Sequence, residues 1–234
     1  EGAAREPEVS ALCAFLQQCG AWIEGVGSGR LVIHGGRRLY GTDFTVPADR
    51  IVAGTYLFSC IGTGGSVLLE QAPEEEMQSV LETAARMGAR VCTSKEGIYV
   101  QAPGRPAAIE LATEPYPGFP TDLQSVVLAV ETRGRGESRI RETIFENRFR
   151  IVEELRKMGA SVELRSPREA TVTGVETLRG ANLVARELRG GAALVAAGLM
   201  AEGETFVEGC AYIYRGYENI GRDFRELGAR VASV

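Results

Sequence analysis

Amphipathic helical patterns recur along the chain, and each of them ends in the same short tail. In every case apolar residues at helical spacing give way to a glycine, an alanine and an extended apolar segment. Glycine just past a helix end is typical, because it adopts the left-handed conformation there without a Cβ clash. The four tails are QCGAWI (18–23), RMGARV (86–91), KMGASV (157–162) and ELGARV (226–231). Their glycines lie roughly 70 residues apart, which indicates an internal repeat.

A second pattern precedes the last three tails. An apolar run as long as a helix ends at a glycine turn and continues as a strand. The runs cover 54–69, 121–140 and 188–207, and their helical parts 124–130 and 192–200 are apolar on nearly every side, which predicts burial. We therefore predict three α/β units, at 47–106, 107–180 and 181–234, with their helices inside and their sheets outside. The pattern does not determine how the units close on one another.

Composition argues against several classes of protein. The chain has 44% hydrophobic and 24% charged residues and a net charge of -5, without a basic tract, so nucleic acid is not an expected partner. The longest apolar stretch, 192–201, is about half as long as a bilayer span, so no membrane partner is expected. Five scattered cysteines and a single histidine predict no metal site and indicate reduced thiols in the cytoplasm.

Two glycine-rich segments are candidates for phosphate-binding loops, but neither has the required context. GVGSG (25–29) lies between two strand-like segments, whereas a dinucleotide loop lies between a strand and a helix. GTGGS (62–66) lacks the lysine of a P-loop. We predict turns in both places, and a hairpin turn in the first.

The segment PYPGFPTDLQ (115–124) is the most unusual in the chain. Its prolines forbid a helix up to Pro120, and Thr121 with Gln124 then predicts a capping box at the start of the next helix. Asp122 has two interpretations. Its carboxylate either complements the helix dipole in the first turn or is held at a domain face by the proline-rich loop. The residues alone leave both open.

Three arginines lie near predicted helix starts. Arg148 follows ETIFEN (142–147), Arg189 precedes the glycines of an apolar run, and Arg215 precedes the last helix. A guanidinium group beside free helix N–H groups forms an anion site. A single arginine is more often solvated at the surface, and this alternative stays open for each of the three.

Six segments together identify a family by their order and spacing. They are AREPEV (4–9), ADRIVAGTYL (48–57), PYPGFPTDLQ (115–124), ETIFENRF (142–149), LRGGAALVAAGLMAEG (188–203) and RGYENI (215–220). Over essentially its whole length the chain resembles the UDP-N-acetylglucosamine enolpyruvyl transferases, which begin peptidoglycan synthesis. The resemblance implies an α/β (α+β) fold, the inverse α/β prism, in which two domains of three pseudo-repeats each enclose a cleft. It implies that residues 1–46 are the closing segment of the first domain and that residues 47–234 are the second domain.

The resemblance implies an enolpyruvyl (1-carboxyvinyl) transferase. Family members move enolpyruvyl from phosphoenolpyruvate to the 3-hydroxyl of UDP-N-acetylglucosamine, without a metal or organic cofactor. Asp122 matches a catalytic aspartate that contacts this hydroxyl and takes or orients its proton. Arg215 matches a catalytic arginine on the phosphate or carboxylate of phosphoenolpyruvate. Ile144 matches a residue whose backbone contacts the sugar nucleotide, and Arg148 and Arg189 match further arginines of the cleft, where cations offset the charge of the substrates.

The sequence also departs from the family pattern. Glu187 stands where the family usually has aspartate, and Tyr214 stands where aspartate is common. The lysine, cysteine and several arginines with which the family binds phosphoenolpyruvate belong to a part that precedes Glu1. The resemblance therefore implies a further partner, an N-terminal domain that is separate or missing, and an active site of which this chain supplies one part. The alternative is a non-catalytic remnant that binds a sugar nucleotide or serves as an interaction module.

Overall fold

The computed structural model describes residues 1–102 and 104–232, and in that part of the chain helices alternate with short strands. Two 3₁₀ turns, Glu74–Met77 and Arg148–Ile151, lead directly into helices. The helices are α1 (Pro7–Gln18), α2 (Arg50–Thr63), α3 (Gln78–Arg86), α4 (Thr121–Glu131), α5 (Val152–Lys157), α6 (Leu188–Met200), α7 (Cys210–Ile213) and α8 (Ile220–Glu226).

The apolar helices α2, α4 and α6 pack on one another at the centre. All residues of α4 from 123 to 131 are buried, as are most residues of α6. Glycines permit the close approach of α2 to α4, because Gly54 faces Leu123 and Gly62 faces Val130. The predicted burial is therefore confirmed for residues 124–130 and for most of 192–200.

The strands form small sheets that cover the central helices. The strands are β1 (Trp22–Glu24), β2 (Val32–His34), β3 (Gly65–Glu70), β4 (Arg90–Ser94), β5 (Gly97–Ala102), β6 (Glu110–Ala112), β7 (Glu137–Arg141), β8 (Ser161–Ser166), β9 (Glu169–Thr173), β10 (Leu178–Arg179), β11 (Asn182–Val184), β12 (Ala201–Glu202) and β13 (Phe206–Glu208). The first unit has an antiparallel sheet in the order β3-β5-β4, and the second has the order β6-β7-β9-β8 with only β6 and β7 parallel. The third unit has two parallel pairs, β10 with β12 and β11 with β13.

One face of each larger sheet is buried. Val67 is opposite Val100 in the first sheet and Ile140 is opposite Ala170 in the second, and all four side chains are buried. Burial alternates along β7, as expected when only one face of a sheet packs on the core. The predicted fold, three α/β units with helices inside and sheets outside, is confirmed.

The four tails with glycine end helices in the predicted way. All four glycines follow the last turn of a helix (α1, α3, α5 or α8) and have φ between +87° and +102°. After α3, for example, the N–H of Gly88 donates to the carbonyl of Ala85, and the N–H of Ala89 donates to that of Ala84. These bonds satisfy carbonyl groups that have no partner within the helix.

Residues 1–49 precede the first unit and contribute one helix and one pair of strands. Helix α1 is followed by the antiparallel pair β1–β2, so the hairpin turn predicted at 25–29 is confirmed. Residues 35–49 contain neither helix nor strand, and α2 then begins with Asp49 accepting hydrogen bonds from the N–H groups of Ile51 and Val52. The two parts are joined by an ion pair in which Arg50 Nε donates to Glu8 Oε1 at 2.9 Å.

One predicted strand is absent. The tail after Gly228 was expected to continue as a strand, but residues 229–232 have no regular structure. A strand requires a hydrogen-bonded neighbour, and within the described part of the chain no strand pairs with this tail. None of the helices in the described ranges is long and apolar enough to cross a bilayer.

Candidate active site

A cleft of about 800 Å³ lies between residues 1–49 and the three-unit body. One wall comes from α1 and the segment before α2, and the other comes from the proline-rich loop and the start of α4. Three of the predicted site residues line it, namely Asp122, Ile144 and Arg189.

Asp122 is the second residue of α4, at the end of the proline-rich loop. The loop contains a cis peptide bond between Tyr116 and Pro117, and the buried side chain of Phe119 attaches the loop to the core. The Asp122 side chain is 32% exposed. Of its two interpretations, the structure favours a carboxylate held at a cleft.

Two arginines fix the direction of this carboxylate. Arg148 Nη2 donates to Asp122 Oδ1, and Arg189 Nη2 donates to Asp122 Oδ2 at 2.8 Å. Burial disfavours the charged form of Arg189, but the carboxylate of Asp122, together with Tyr217 and Asp49, outweighs this effect and raises the pKa of Arg189. Charge-assisted hydrogen bonds to both oxygens restrict rotation of the carboxyl group.

Arg148 is not a solvated surface residue, because its side chain is only 8% exposed. Its guanidinium carbon lies 4.5 Å from the centre of the Phe145 ring, a cation–π distance. Its Nη1 atom also lies 3.7 Å from Glu187 Oε2. A buried guanidinium group needs such partners, and here they orient it towards Asp122.

Glu187 has a longer side chain than the aspartate that the family usually has at this position, and the structure accommodates it as the cap of α6. It precedes α6, and its carboxylate accepts hydrogen bonds from the N–H groups of Arg189 and Gly190. This cap satisfies helix donors that would otherwise have no partner. The same side chain contacts Arg148, so one residue links the start of α6 to the arginine pair.

The predicted capping box at the start of α4 is wrong. The residue before the helix is Pro120, which cannot cap with its side chain, and Thr121 is already helical. The Thr121 hydroxyl instead donates to Glu142 Oε2 at 2.9 Å and accepts from Arg148 Nε at 3.3 Å. Gln124 is fully buried and does not turn back to the helix start. A buried acceptor directly after β7, Glu142, has replaced the local cap.

Ile144 is half-exposed at the edge of the cleft. Its N–H group donates to Glu142 Oε1 at 2.8 Å. No hydrogen bond from the described residues reaches its carbonyl group, so the carbonyl is the backbone group that a ligand could contact.

Arg215 lies apart from this cluster. It is exposed in the turn after α7, does not line the cleft, and forms no ion pair within residues 1–102 and 104–232. The turn itself is close by, because a Cβ atom added to Gly216 would lie 3.5 Å from Arg189 Nη1. The structure therefore brings four of the five predicted residues together, and Arg215 is their exposed neighbour.

The sequence interpretation missed Glu142. This carboxylate is buried beside the cluster and holds both Thr121 and the backbone of Ile144. The alternation of strand β7 could have revealed it, because Ser138 and Ile140 point inwards and Glu142 continues their series. No group of three potential metal ligands occurs in the part of the chain that the structure describes.

Comparisons with known proteins identify the family of this chain. The family model described as EPSP synthase (3-phosphoshikimate 1-carboxyvinyltransferase) matches residues 1–224. The UDP-N-acetylglucosamine 1-carboxyvinyltransferase of Methylobacterium sp. (strain 4-46) is 46% identical over 232 residues, which are 99% of this chain and 54% of the relative. The enzyme of the same name from Methylacidiphilum infernorum is 45% identical and covers 100% of this chain and 55% of the relative.

Solved structures show the same fold. The enolpyruvyl transferase NikO from Streptomyces tendae matches with a TM-score of 0.84 at 24% identity, over 97% of this chain and 54% of that protein. EPSP synthase from Acinetobacter baumannii matches with a TM-score of 0.70 at 15% identity, over 94% of this chain and 54% of that protein. The chain thus spans about half the length of these relatives. The resemblance seen in the sequence is confirmed, and the chain belongs to the EPSP synthase family of carboxyvinyltransferases.

Proposed function

We propose that this chain is part of an enzyme that transfers enolpyruvyl from phosphoenolpyruvate to the 3-hydroxyl of UDP-N-acetylglucosamine, for peptidoglycan synthesis. The observation that carries the proposal is the Asp122 carboxylate, which faces a cleft while two arginines hold its oxygens. Relatives of that activity by name, 46% and 45% identical over 99% and 100% of this chain, support it.

Asp122 contacts the 3-hydroxyl of the sugar in this proposal. It orients the hydroxyl oxygen for addition to C2 of phosphoenolpyruvate and accepts its proton as the new carbon–oxygen bond forms and C3 takes up a proton. Phosphate then leaves C2 while C3 loses a proton, which restores the double bond. Arg148 and Arg189 keep the carboxylate directed at the hydroxyl and offset negative charge near the reacting groups. The backbone of Ile144 contacts the sugar nucleotide, and Arg215 binds the phosphate or carboxylate of phosphoenolpyruvate.

The charges of the cleft support a two-part active site. Its lining carries more carboxylates than cations, and its two arginines already have carboxylate partners, Arg50 with Glu8 and Arg189 with Asp122. The lining carboxylates are those of Glu6, Glu8, Asp49, Glu76, Glu114 and Asp122. Two highly anionic substrates require further cations, which we expect from Arg215 and from an N-terminal domain.

The domain assignment follows from the same proposal. Residues 1–46 close the N-terminal domain, and residues 47–234 form the second domain, with units at 47–106, 107–180 and 181–234. The ion pair between Glu8 and Arg50 then crosses the domain boundary. We place the reaction in the cytoplasm, in keeping with five free cysteines.

Phosphate release tests the proposed function. Phosphate is measured with both substrates for the chain alone and for the chain mixed with the N-terminal domain of the Methylobacterium relative. We expect release in the mixture only, and Asp122→Ala should reduce it by about 100-fold or more, as expected for loss of a proton acceptor.

Glu163→Ala serves as the control, because Glu163 is an exposed carboxylate on β8 outside the cleft lining. Full activity of Asp122→Ala would contradict the role of Asp122. No release from a correctly folded mixture would favour the non-catalytic remnant or binding module instead. Release by the chain alone would mean that the groups assigned to the N-terminal domain are not needed.

A further inference from the structure

Glu142 is a buried carboxylate to which the proposed reaction assigns no role. It directly follows β7, and it is 1% exposed. Its Oε1 atom accepts hydrogen bonds from the Thr113 hydroxyl and from the N–H groups of Ile144 and Phe145, each at 2.8 Å. Its Oε2 atom accepts from the Thr121 hydroxyl at 2.9 Å. Both oxygens therefore have donors, three on Oε1 and one on Oε2, as a buried carboxylate requires.

These donors belong to three segments that meet beside the cleft. Thr113 follows β6, Thr121 begins α4, and the two N–H groups belong to the loop 143–147. A buried N–H or hydroxyl group without a partner is costly, so the four bonds fix the three segments relative to one another. These bonds therefore hold the Ile144 backbone at a fixed distance from the start of α4.

Thr121 extends this constraint to the arginine pair. Its hydroxyl has a single proton, which it donates to Glu142, so its lone pairs face Arg148 Nε at 3.3 Å. Arg148 in turn donates to Asp122. An amide at position 142 would place an N–H group against the Thr121 oxygen, and the hydroxyl proton would then lose the acceptor that now fixes its direction.

We propose that Glu142 is a positioning residue for the part of the cleft that binds the N-acetylglucosamine unit. It sets the backbone of Ile144 directly, and it sets the Asp122 carboxylate through Thr121 and Arg148. This proposal rests on the proposed function, in which Ile144 and Asp122 are the groups that face the sugar. In the proposed function, phosphoenolpyruvate is bound by Arg215 and by cations of an N-terminal domain, so its binding should change little.

The test measures kcat and both Michaelis constants for Glu142→Gln in the two-part enzyme described above. We expect the KM for UDP-N-acetylglucosamine to rise about tenfold, because hydrogen bonds to a charged group are lost, while the KM for phosphoenolpyruvate stays near that of the wild type. Glu131→Gln is the matched control. It makes the same substitution at another fully buried carboxyl, outside the cleft lining, and should leave both constants unchanged.

Thr121→Val provides a second variant in case Glu142→Gln does not fold. It keeps the loop bonds of Glu142 and removes both bonds of the Thr121 hydroxyl, to Glu142 and from Arg148, so it should raise the KM for the sugar nucleotide by a smaller factor. Unchanged constants, or an equal rise in both, in a folded variant would overturn the role of Glu142. A wild-type enzyme without phosphate release would instead overturn the proposed function, and the role of Glu142 with it.

Discussion

At the scale of the residue, Glu131 is a carboxyl group whose surroundings disfavour its charged form. It is the last residue of α4 and fully buried, where the carbonyl end of the helix disfavours a negative charge. Its Oε2 atom accepts a hydrogen bond from Ser138 at 2.5 Å, whereas Oε1 has no partner. Burial raises the pKa of Glu131 to about 7, although the Ser138 hydroxyl opposes this shift. The folded chain therefore prefers the protonated form.

This shift predicts that Glu131 lowers stability as the pH rises. Between the ordinary pKa of 4.5 and the folded value of about 7, the unfolded chain releases this proton more readily than the folded chain. Glu131→Gln removes this pH dependence. The difference in the free energy of unfolding, variant minus wild type, should therefore increase by about 3 kcal/mol from pH 4 to pH 8. Urea unfolding at both pH values measures this gain. Glu163→Gln, at an exposed site, should show none.

Four of the five site residues that the sequence predicts lie close together in the structure. A motif match located Asp122, Ile144, Arg148 and Arg189, because the motif preserves residue types at fixed spacing. It could not locate the acceptor of Thr121, because that acceptor lies 21 residues further along the chain. A capping box is a local pattern, and a long-range hydrogen bond replaced it.

At the scale of the element, glycine determines how closely two central helices pack. A Cβ atom at Gly54 of α2 would overlap Leu123 Cδ1 of α4. Glycine normally weakens a helix, so its presence here reflects the packing of α2 on α4.

Alanine at position 54 is therefore expected to destabilise the fold although alanine favours helices. Gly54→Ala should reduce the free energy of unfolding by about 1–3 kcal/mol through overpacking. Gly221→Ala in α8 is the matched control, because its nearest neighbour, Val231 Cγ1, lies at an ordinary 3.5 Å. That variant should be neutral or more stable by about 0.5 kcal/mol. Equal effects in chemical denaturation would show that the contact with Leu123 is unimportant.

The pattern of apolar positions predicted the elements well where structure depends on nearby residues. It located the central helices, the glycine helix ends and the hairpin because each has a local signal. It failed for the tail after Gly228, since apolar residues permit a strand but do not supply the neighbour that a strand requires. Whether a strand finds a partner depends on segments that are distant in the sequence.

At the scale of the whole molecule, the pattern left the closure of the three units undetermined. It indicated that 124–130 and 192–200 are apolar on nearly every side but not which surfaces cover them. The structure shows that these helices cover one another and α2. The cleft depends on the same long-range contacts, since its walls come from residues as far apart as Glu6 and Arg189.

The burial of residues 123–131 of α4 has a consequence for local opening of the chain. Its backbone amides should exchange with deuterium only when the whole molecule unfolds, whereas the exposed turns around α7 and α8 should exchange much sooner. Hydrogen exchange followed by mass spectrometry would measure this order, and fast exchange in 124–131 would contradict it. Asp122 directly precedes residues 123–131, so the carboxylate at the cleft is attached to the segment that opens last.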